Sequence, residues 1–211
     1  MKVVEYLDPA GHSPFEVWFR RIEARAAVKV TVALARLEAG NLSNAKSVGG
    51  GVLEYRIDYG PGYRVYFGRD SLSSFWPAAR SSDSNGISRT PMPAGSITNA
   101  GSVETDMALT RDFKQSIKAR VAADPAYGTL LLAEAVELLL SGEMETGKSL
   151  LRDYINATVG FEALAAATGT PAKSLMRMFG PKGNPRADNL FGVISVLQKA
   201  NGVNLAVGVA A

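Results

Sequence analysis

The sequence of 211 residues has no cysteine and a single histidine, His12. The first absence excludes disulfides, thiolate chemistry and cysteine-ligated metals, and the second leaves no histidine pair for a metal centre or an imidazole relay. No cofactor and no metal are expected, and His12, just ahead of a predicted helix, is assigned a structural or solvent-exposed role. Long hydrophobic runs are also missing. Charge interrupts every apolar stretch well short of the roughly 20 residues that a membrane span needs, and no charged-then-apolar leader opens the chain. A cytoplasmic protein without a membrane partner is expected. Neither sign of charge is in large excess, with 23 Lys+Arg against 20 Asp+Glu for a net charge of +3. The total names no partner, but the distribution is uneven. From 171 to 199, Lys173, Arg177, Lys182, Arg186 and Lys199 face only Asp188, a local basic cluster of the kind that phosphates attract.

Residues 71–106, SLSSFWPAARSSDSNGISRTPMPAGSITNAGSVETD, lack periodicity altogether. Rich in Ser, Pro, Gly and Asn, this stretch is read as a disordered or irregular linker. It separates residues 1–70 from residues 107–211, where Met107 opens a fresh run. In the first part KVVEY has strand character. Ser13, Pro14 and Glu16 then form a capping signature, and Phe15, Trp18, Phe19 and Ile22 share a helical face. Val30, Leu34 and Leu37 continue the pattern to Gly40, which predicts a pair of helices or one long bent helix. Beyond Gly49-Gly50-Gly51 the period becomes two. Leu53, Tyr55 and Ile57 alternate with Glu54, Arg56 and Asp58, and after the turn Tyr59-Gly60-Pro61-Gly62, Tyr63, Val65 and Phe67 alternate with Arg64 and Tyr66. If the two strands pair as a hairpin with apolar faces together, Arg56, Arg64 and Tyr66 project from the same side. Two guanidinium groups and a phenol could stabilise phosphate charge in a transfer reaction without metal; a solvated sheet face is the alternative. The fold expected here is an α+β domain, a helical hairpin packed on a small antiparallel sheet.

This order of elements, closing on LEYRIDYGPGYRVYFGRD, resembles the RelE/ParE-like toxin superfamily, and closely its Hig-type growth-inhibition toxins, over nearly all of residues 1–70. The resemblance implies cleavage of messenger RNA on the ribosome, as in RelE-like members, or inhibition of gyrase, as in ParE-like ones. Arg64 matches the arginine that RelE-like toxins keep in this strand and Arg56 is a weaker match; with Tyr66 they are the candidate catalytic residues. Asp58 stands where some members carry lysine. Such toxins continue with a hydrophobic strand, a GGDK-like turn, a Q-x-x-DI motif and a final helix, none of which follows Asp70. The chain is therefore expected to lack its last toxin strand and to be a weakened or inactive endonuclease.

The genetic code suggests where the missing piece went. Read two bases later, TCN codons at Ser73 and Ser74 yield NTC, encoding Phe, Leu, Ile or Val, while Phe75 and Trp76 must yield Leu and Ala. With permitted codons, Pro77 to Arg80 continue as Gly-Gly-Glu and a basic residue, and Asp83 to Ser88 as Gln-Gln-Arg-Asp-Ile. The linker is accordingly read as an out-of-frame translation of the toxin's own C-terminus.

Residues 107–211 read as all helical. Amphipathic or apolar segments at 112–123, 127–140 and 144–159 precede GFEALAAATGTPAKSLMRMFGPKGNPRADNLFGVISVLQ. There Leu164, Ala165, Gly169, Leu175 and Met178 have the spacing of a helix-turn-helix over about 161–179. The segment is similar to the Xre/Cro-like helix-turn-helix, and the whole part looks like the Hig-type antitoxin encoded downstream of such toxins. That resemblance implies a homodimer that binds operator DNA, regulates transcription of its own addiction module and neutralises the cognate toxin domain, within or between molecules. Lys173, Ser174 and Arg177 are the candidates for base or phosphate contact, and Lys182, Asn184 and Arg186 for backbone phosphate. A third possibility is a non-catalytic interaction scaffold, with the toxin remnant docked on helices 112–158.

Overall fold

A computed structural model describes residues 2–68, 73–77 and 110–208. The Ser13 hydroxyl accepts from the Glu16 amide at 3.0 Å and Pro14 takes the first helical position, so α1 (Pro14–Arg21) starts where its signature places it. It ends at Ile22, whose backbone turns extended, and α2 (Ala24–Glu38) begins afresh, so the two are separate helices. The sequence of α2, ARAAVKVTVALARLE, carries small or branched apolar residues on nearly every side. Ten of its fifteen residues are buried, and a helix apolar around most of its circumference must be covered from two directions.

One cover is the sheet. Its strands are β1 (Val3–Tyr6), β2 (Ala45–Gly49), β3 (Val52–Ile57), β4 (Tyr63–Gly68), β5 (Ser73–Pro77) and β6 (Thr110–Asp112), in the order β2-β3-β4-β5-β1-β6. All neighbours are antiparallel except β1 and β5, which run parallel.

Three expectations are corrected by this sheet. Residues 73–77, expected within an irregular linker, form β5 and occupy the slot between β4 and β1, so the first half does not end without a strand there. Five residues suffice because both neighbours present strand edges whose backbone groups need partners. Residues 110–112, expected in an all-helical half, form β6 and extend the first half's sheet by pairing with β1. The sheet is mixed rather than wholly antiparallel. The rest of the linker, with most of the segment assigned to a shifted frame, lies outside the described residues.

The second cover of α2 comes from the other half of the chain. Here α3 (Lys114–Ala123), α4 (Pro125–Leu140) and α5 (Met144–Ala157) lead into α6 (Gly160–Thr168), α7 (Ala172–Met178) and α8 (Ala187–Ala200). Helices α4 and α5 pack on α2, and the buried residues of both halves form one continuous core. Polar groups from the two halves meet across the seam, although Arg120 Nε and Nη1, Arg111 Nε and Glu5 Oε1 are buried without a hydrogen-bond partner among the described residues. Thr31 and Tyr127, both buried, share a hydrogen bond of 2.8 Å. The Arg120 guanidinium lies 5.1 Å from the ring centres of Phe19 and of Tyr127 and donates to the Ile22 carbonyl at 2.7 Å. Lys29 meets Glu134 at 2.7 Å and Arg36 meets Glu143 at 2.6 Å. Arg111 of β6 reaches both Glu5 and Glu16, at 2.8 and 2.6 Å. Among the described residues no helix is long and apolar enough to cross a membrane.

At the α2/α3/α5 junction Lys114 lies 3.2 Å from Glu38 and 3.0 Å from Asp153. Burial pushes the Asp153 carboxyl up to about 6 in spite of the nearby ammonium, with Glu38 and Asp112 adding to the rise. The folded state thus favours the neutral carboxyl more than the unfolded chain does. Its contribution to stability is full below pH 4 and is lost as pH climbs through 6, an effect of about 3 kcal/mol. Urea unfolding of the parent and of Asp153→Asn is expected to give equal stabilities near pH 4 that separate by pH 7, the variant being the more stable. Curves that stay parallel would contradict this account.

Candidate nucleic-acid interfaces

The β3–β4 hairpin builds the first surface. Its register pairs Arg56 with Arg64 and Glu54 with Tyr66, and paired residues share a face. The opposite face carries Tyr55, Ile57, Tyr63, Val65 and Phe67, all buried, with Tyr63 edge-on to Trp18 of α1 at 6.3 Å. The outward set therefore stands together as the alternation implies.

Its centre is a residue that the sequence did not single out. Glu54 is 5% exposed. One carboxylate oxygen accepts from Arg56 Nε at 2.7 Å and the other from the Tyr66 hydroxyl at 3.0 Å, with Arg64 Nε 3.9 Å from the latter oxygen. Burial alone would raise its pKa, but the hydrogen bonds from Arg56 and Tyr66 and the charge of Arg64 hold it below the usual range. Burial and the bond to Glu54 raise the Tyr66 phenol. Tyr66 is accordingly a donor at neutral pH, and the patch combines two guanidinium groups, a phenol and an ionised carboxylate. Lys46 of β2 stands opposite Glu54 in the register. Strand alternation puts Glu54 on this face; nothing in the alternation says that the face buries a carboxylate.

The second surface lies at α6 and α7. Gly169 closes α6 in the left-handed region, φ 67°, which lets the chain turn sharply into α7. Leu164 and Leu175 are buried and hold the two helices together. Lys173 and Arg177 are exposed on α7 and Ser174 is half-buried, while Lys182, Asn184 and Arg186 are exposed on the turn between α7 and α8. No ion pair engages Lys173, Arg177, Lys182 or Arg186 among the described residues. The six predicted residues thus fall on one helix and the turn that follows it.

Two further residues, not anticipated from sequence, fasten that turn. Arg152 of α5 donates to the Met176 carbonyl at 2.8 Å, and the buried Lys148 donates to the Gly183 carbonyl and to Glu145. Their spacing of four puts both on one face of α5, a signal that the sequence does contain. Gly183 itself packs against the end of α7, where a Cβ would stand 2.1 Å from the Met178 carbonyl oxygen.

Comparison with known proteins adds little. The chain is 43% identical over 53 residues to an uncharacterized protein of Haemophilus influenzae (strain ATCC 51907 / DSM 11121 / KW20 / Rd), across 25% of this chain and 54% of the relative. The chain thus spans about half the length of the curated relative it matches. No protein-family model matches the chain, and no solved structure does.

Because the Gly183 contact is with backbone, Gly183→Ala forces the turn to move, at a cost of about 1–3 kcal/mol. Gly192→Ala, in α8 with open space around the added methyl, is expected to be neutral or stabilising by up to about 1 kcal/mol. Denaturant midpoints check both, and amide shifts at Lys182, Asn184 and Arg186 should change in the first variant alone.

Proposed function

We propose that the chain is a fusion of a type II toxin with its antitoxin. In this proposal the antitoxin half binds operator DNA as an autorepressor and neutralises the toxin half, a Hig-type relative of RelE with weakened or no ribosome-dependent messenger RNA cleavage. The observation that carries it is the pair α6 and α7, joined at Gly169, with Lys173 and Arg177 on α7 and Lys182 and Arg186 after it, four exposed cations without ion-pair partners among the described residues. The second helix of a helix-turn-helix presents its first turns to a groove, and the basic turn after it would meet phosphate. Neutralisation draws support from the seam, where α4 and α5 cover α2. The same seam favours the scaffold alternative, in which residues 2–77 persist only as a docking partner. Inhibition of gyrase has no comparable observation in its favour.

DNA binding is tested on the full chain with its own promoter duplex and a scrambled one, by fluorescence anisotropy at two salt concentrations. Arg177→Ala should weaken promoter binding by roughly 10- to 100-fold, the range for a lost base contact. Lys182→Ala should weaken both duplexes alike and lower the salt slope by about 1. Equal affinity of the parent for both duplexes would overturn the repressor assignment. At the gene level, codons 73 to 88 read two bases later are expected to encode the missing toxin motif; any other product would end the frameshift explanation.

A further inference from the structure

We propose that Glu54 is the positioning residue of a phosphodiester clamp, in which its buried carboxylate orients Arg56, Arg64 and Tyr66 to take one phosphate of single-stranded RNA. The inference rests on the assignment of residues 2–77 to an RNA-directed toxin half. It starts from the burial of Glu54. A carboxylate kept from water costs several kcal/mol unless it is paired and hydrogen-bonded, and this one is met by three groups from the same hairpin. Its contacts with both arginines are made through Nε, at 2.7 Å to Arg56 and 3.9 Å to Arg64. Arg56, anchored through Nε, keeps its outer edge available, and that edge matches two phosphate oxygens, while Arg64 stands at ion-pair distance from the same carboxylate. The side chains of Arg56 and Arg64 are 56% and 38% exposed, whereas that of Glu54 is 7% exposed. The acid forms the floor and the two cations form the rim.

Charge and substrate class follow from the same residues. Arg56 and Arg64 against Glu54 leave one net positive charge, and Lys46 across the strand pair is offset by Asp58, whose charge acts on Arg56, so a singly charged phosphodiester is matched. Tyr66 donates to Glu54 and is itself met by Arg64; the second lone pair of its phenolic oxygen can accept from a ribose 2′-hydroxyl, and its ring is a platform for a base. A duplex hides the faces of its bases from such a platform; a single strand does not.

The decisive feature of the test is its sign. If the face attracted RNA by net charge alone, removing the Glu54 charge would tighten binding. A positioning role demands the reverse. Binding of a labelled octauridine RNA is measured on the full chain with Arg177 and Lys182 replaced by Ala, so that the second basic surface is silent. Glu54→Gln should weaken binding about tenfold, the loss expected for one charge-assisted hydrogen bond. Glu54→Asp should recover part of it, and Arg64→Lys, which keeps the charge but not the fork, should show a similar loss. Asp58→Asn on the same hairpin should bind no worse than the parent. In Glu54→Gln the Tyr66 phenol, followed by 13Cζ NMR, should titrate at lower pH than in the parent. Binding by Glu54→Gln that equals or exceeds the parent's overturns the clamp, as does failure of the parent to bind. Equal binding of the deoxy oligonucleotide overturns the RNA assignment. The underlying toxin assignment fails separately. A Glu54-dependent clamp on a chain that never cleaves ribosome-bound messenger RNA leaves the clamp standing and removes the endonuclease. Cleavage lost in Arg64→Ala but untouched, with binding, in Glu54→Gln does the opposite.

Discussion

The molecule is organised around a helix that no single surface can cover. With ten of fifteen residues buried, α2 has apolar side chains pointing both toward the sheet and away from it. Each large apolar side chain left in water would forfeit roughly 1.5–3 kcal/mol, so the outward side calls for a second layer. Helices α4 and α5 supply it, and the order β1, α1, α2 thereby dictates where the later half of the chain sits. Phe19 and Tyr127 meet edge to face at 5.8 Å across that boundary, with Arg120 against both rings. A buried cation stacked on two aromatic faces and bonded to a backbone carbonyl is tolerated only in a fixed arrangement, which favours one docking geometry over the many that a purely apolar contact would allow.

The seam also sorts the charges. A chain with a net charge of only +3 cannot be basic everywhere, and pairing decides where basicity remains. Lys29, Arg36, Arg111 and Lys114 are drawn into ion pairs between the two halves, and Arg56 into the pair with Glu54. The cations of α7 and the following turn are left without such partners among the described residues. Two cationic surfaces of different character result. On α7 the charges are uncompensated and open, suited to long-range attraction and therefore salt-sensitive. On the β3–β4 face they are partly neutralised from within, which trades attraction for geometry.

Local signals in the sequence proved sufficient wherever a few neighbouring residues determine the outcome. The Ser13 cap, the division of the hairpin at 59–62, the sharing of one face by Arg56, Arg64 and Tyr66, and the turn at Gly169 all belong to this kind. Three strands were not legible. In AKSVG, β2 has no alternation to find, because all but Ala45 are exposed. At Ser73–Pro77 the surrounding Ser, Pro and Gly mask a segment whose conformation is set by pairing with β4 just before it and with β1 at the far end of the domain, and the three residues of β6 are too few to show a period. Glu54 escaped for a related reason: its burial depends on three side chains closing over it, and alternation predicts faces rather than depth. On α5, Lys148 and Arg152 look like ordinary solvent-facing cations until their acceptors, the carbonyls of Gly183 and Met176, are seen.

Those two acceptors make α5 the element that joins both surfaces' supports. On one side it packs against α2, and through Lys114 its Asp153 shares a buried charge cluster with Glu38 at the end of that helix. On the other side it holds two carbonyls at the end of α7 and in the turn beyond. A change of composition near residue 107 therefore does not coincide with a change of packing. The strand β6 belongs to the first half's sheet, the outer layer of α2 belongs to the second half, and the orientation of α7 is set by a helix that α2 itself helps to place. Any displacement of α2 must move α5 or break its charge cluster, and any movement of α5 must carry the α7 turn with it or release Arg152 and Lys148 from their carbonyls.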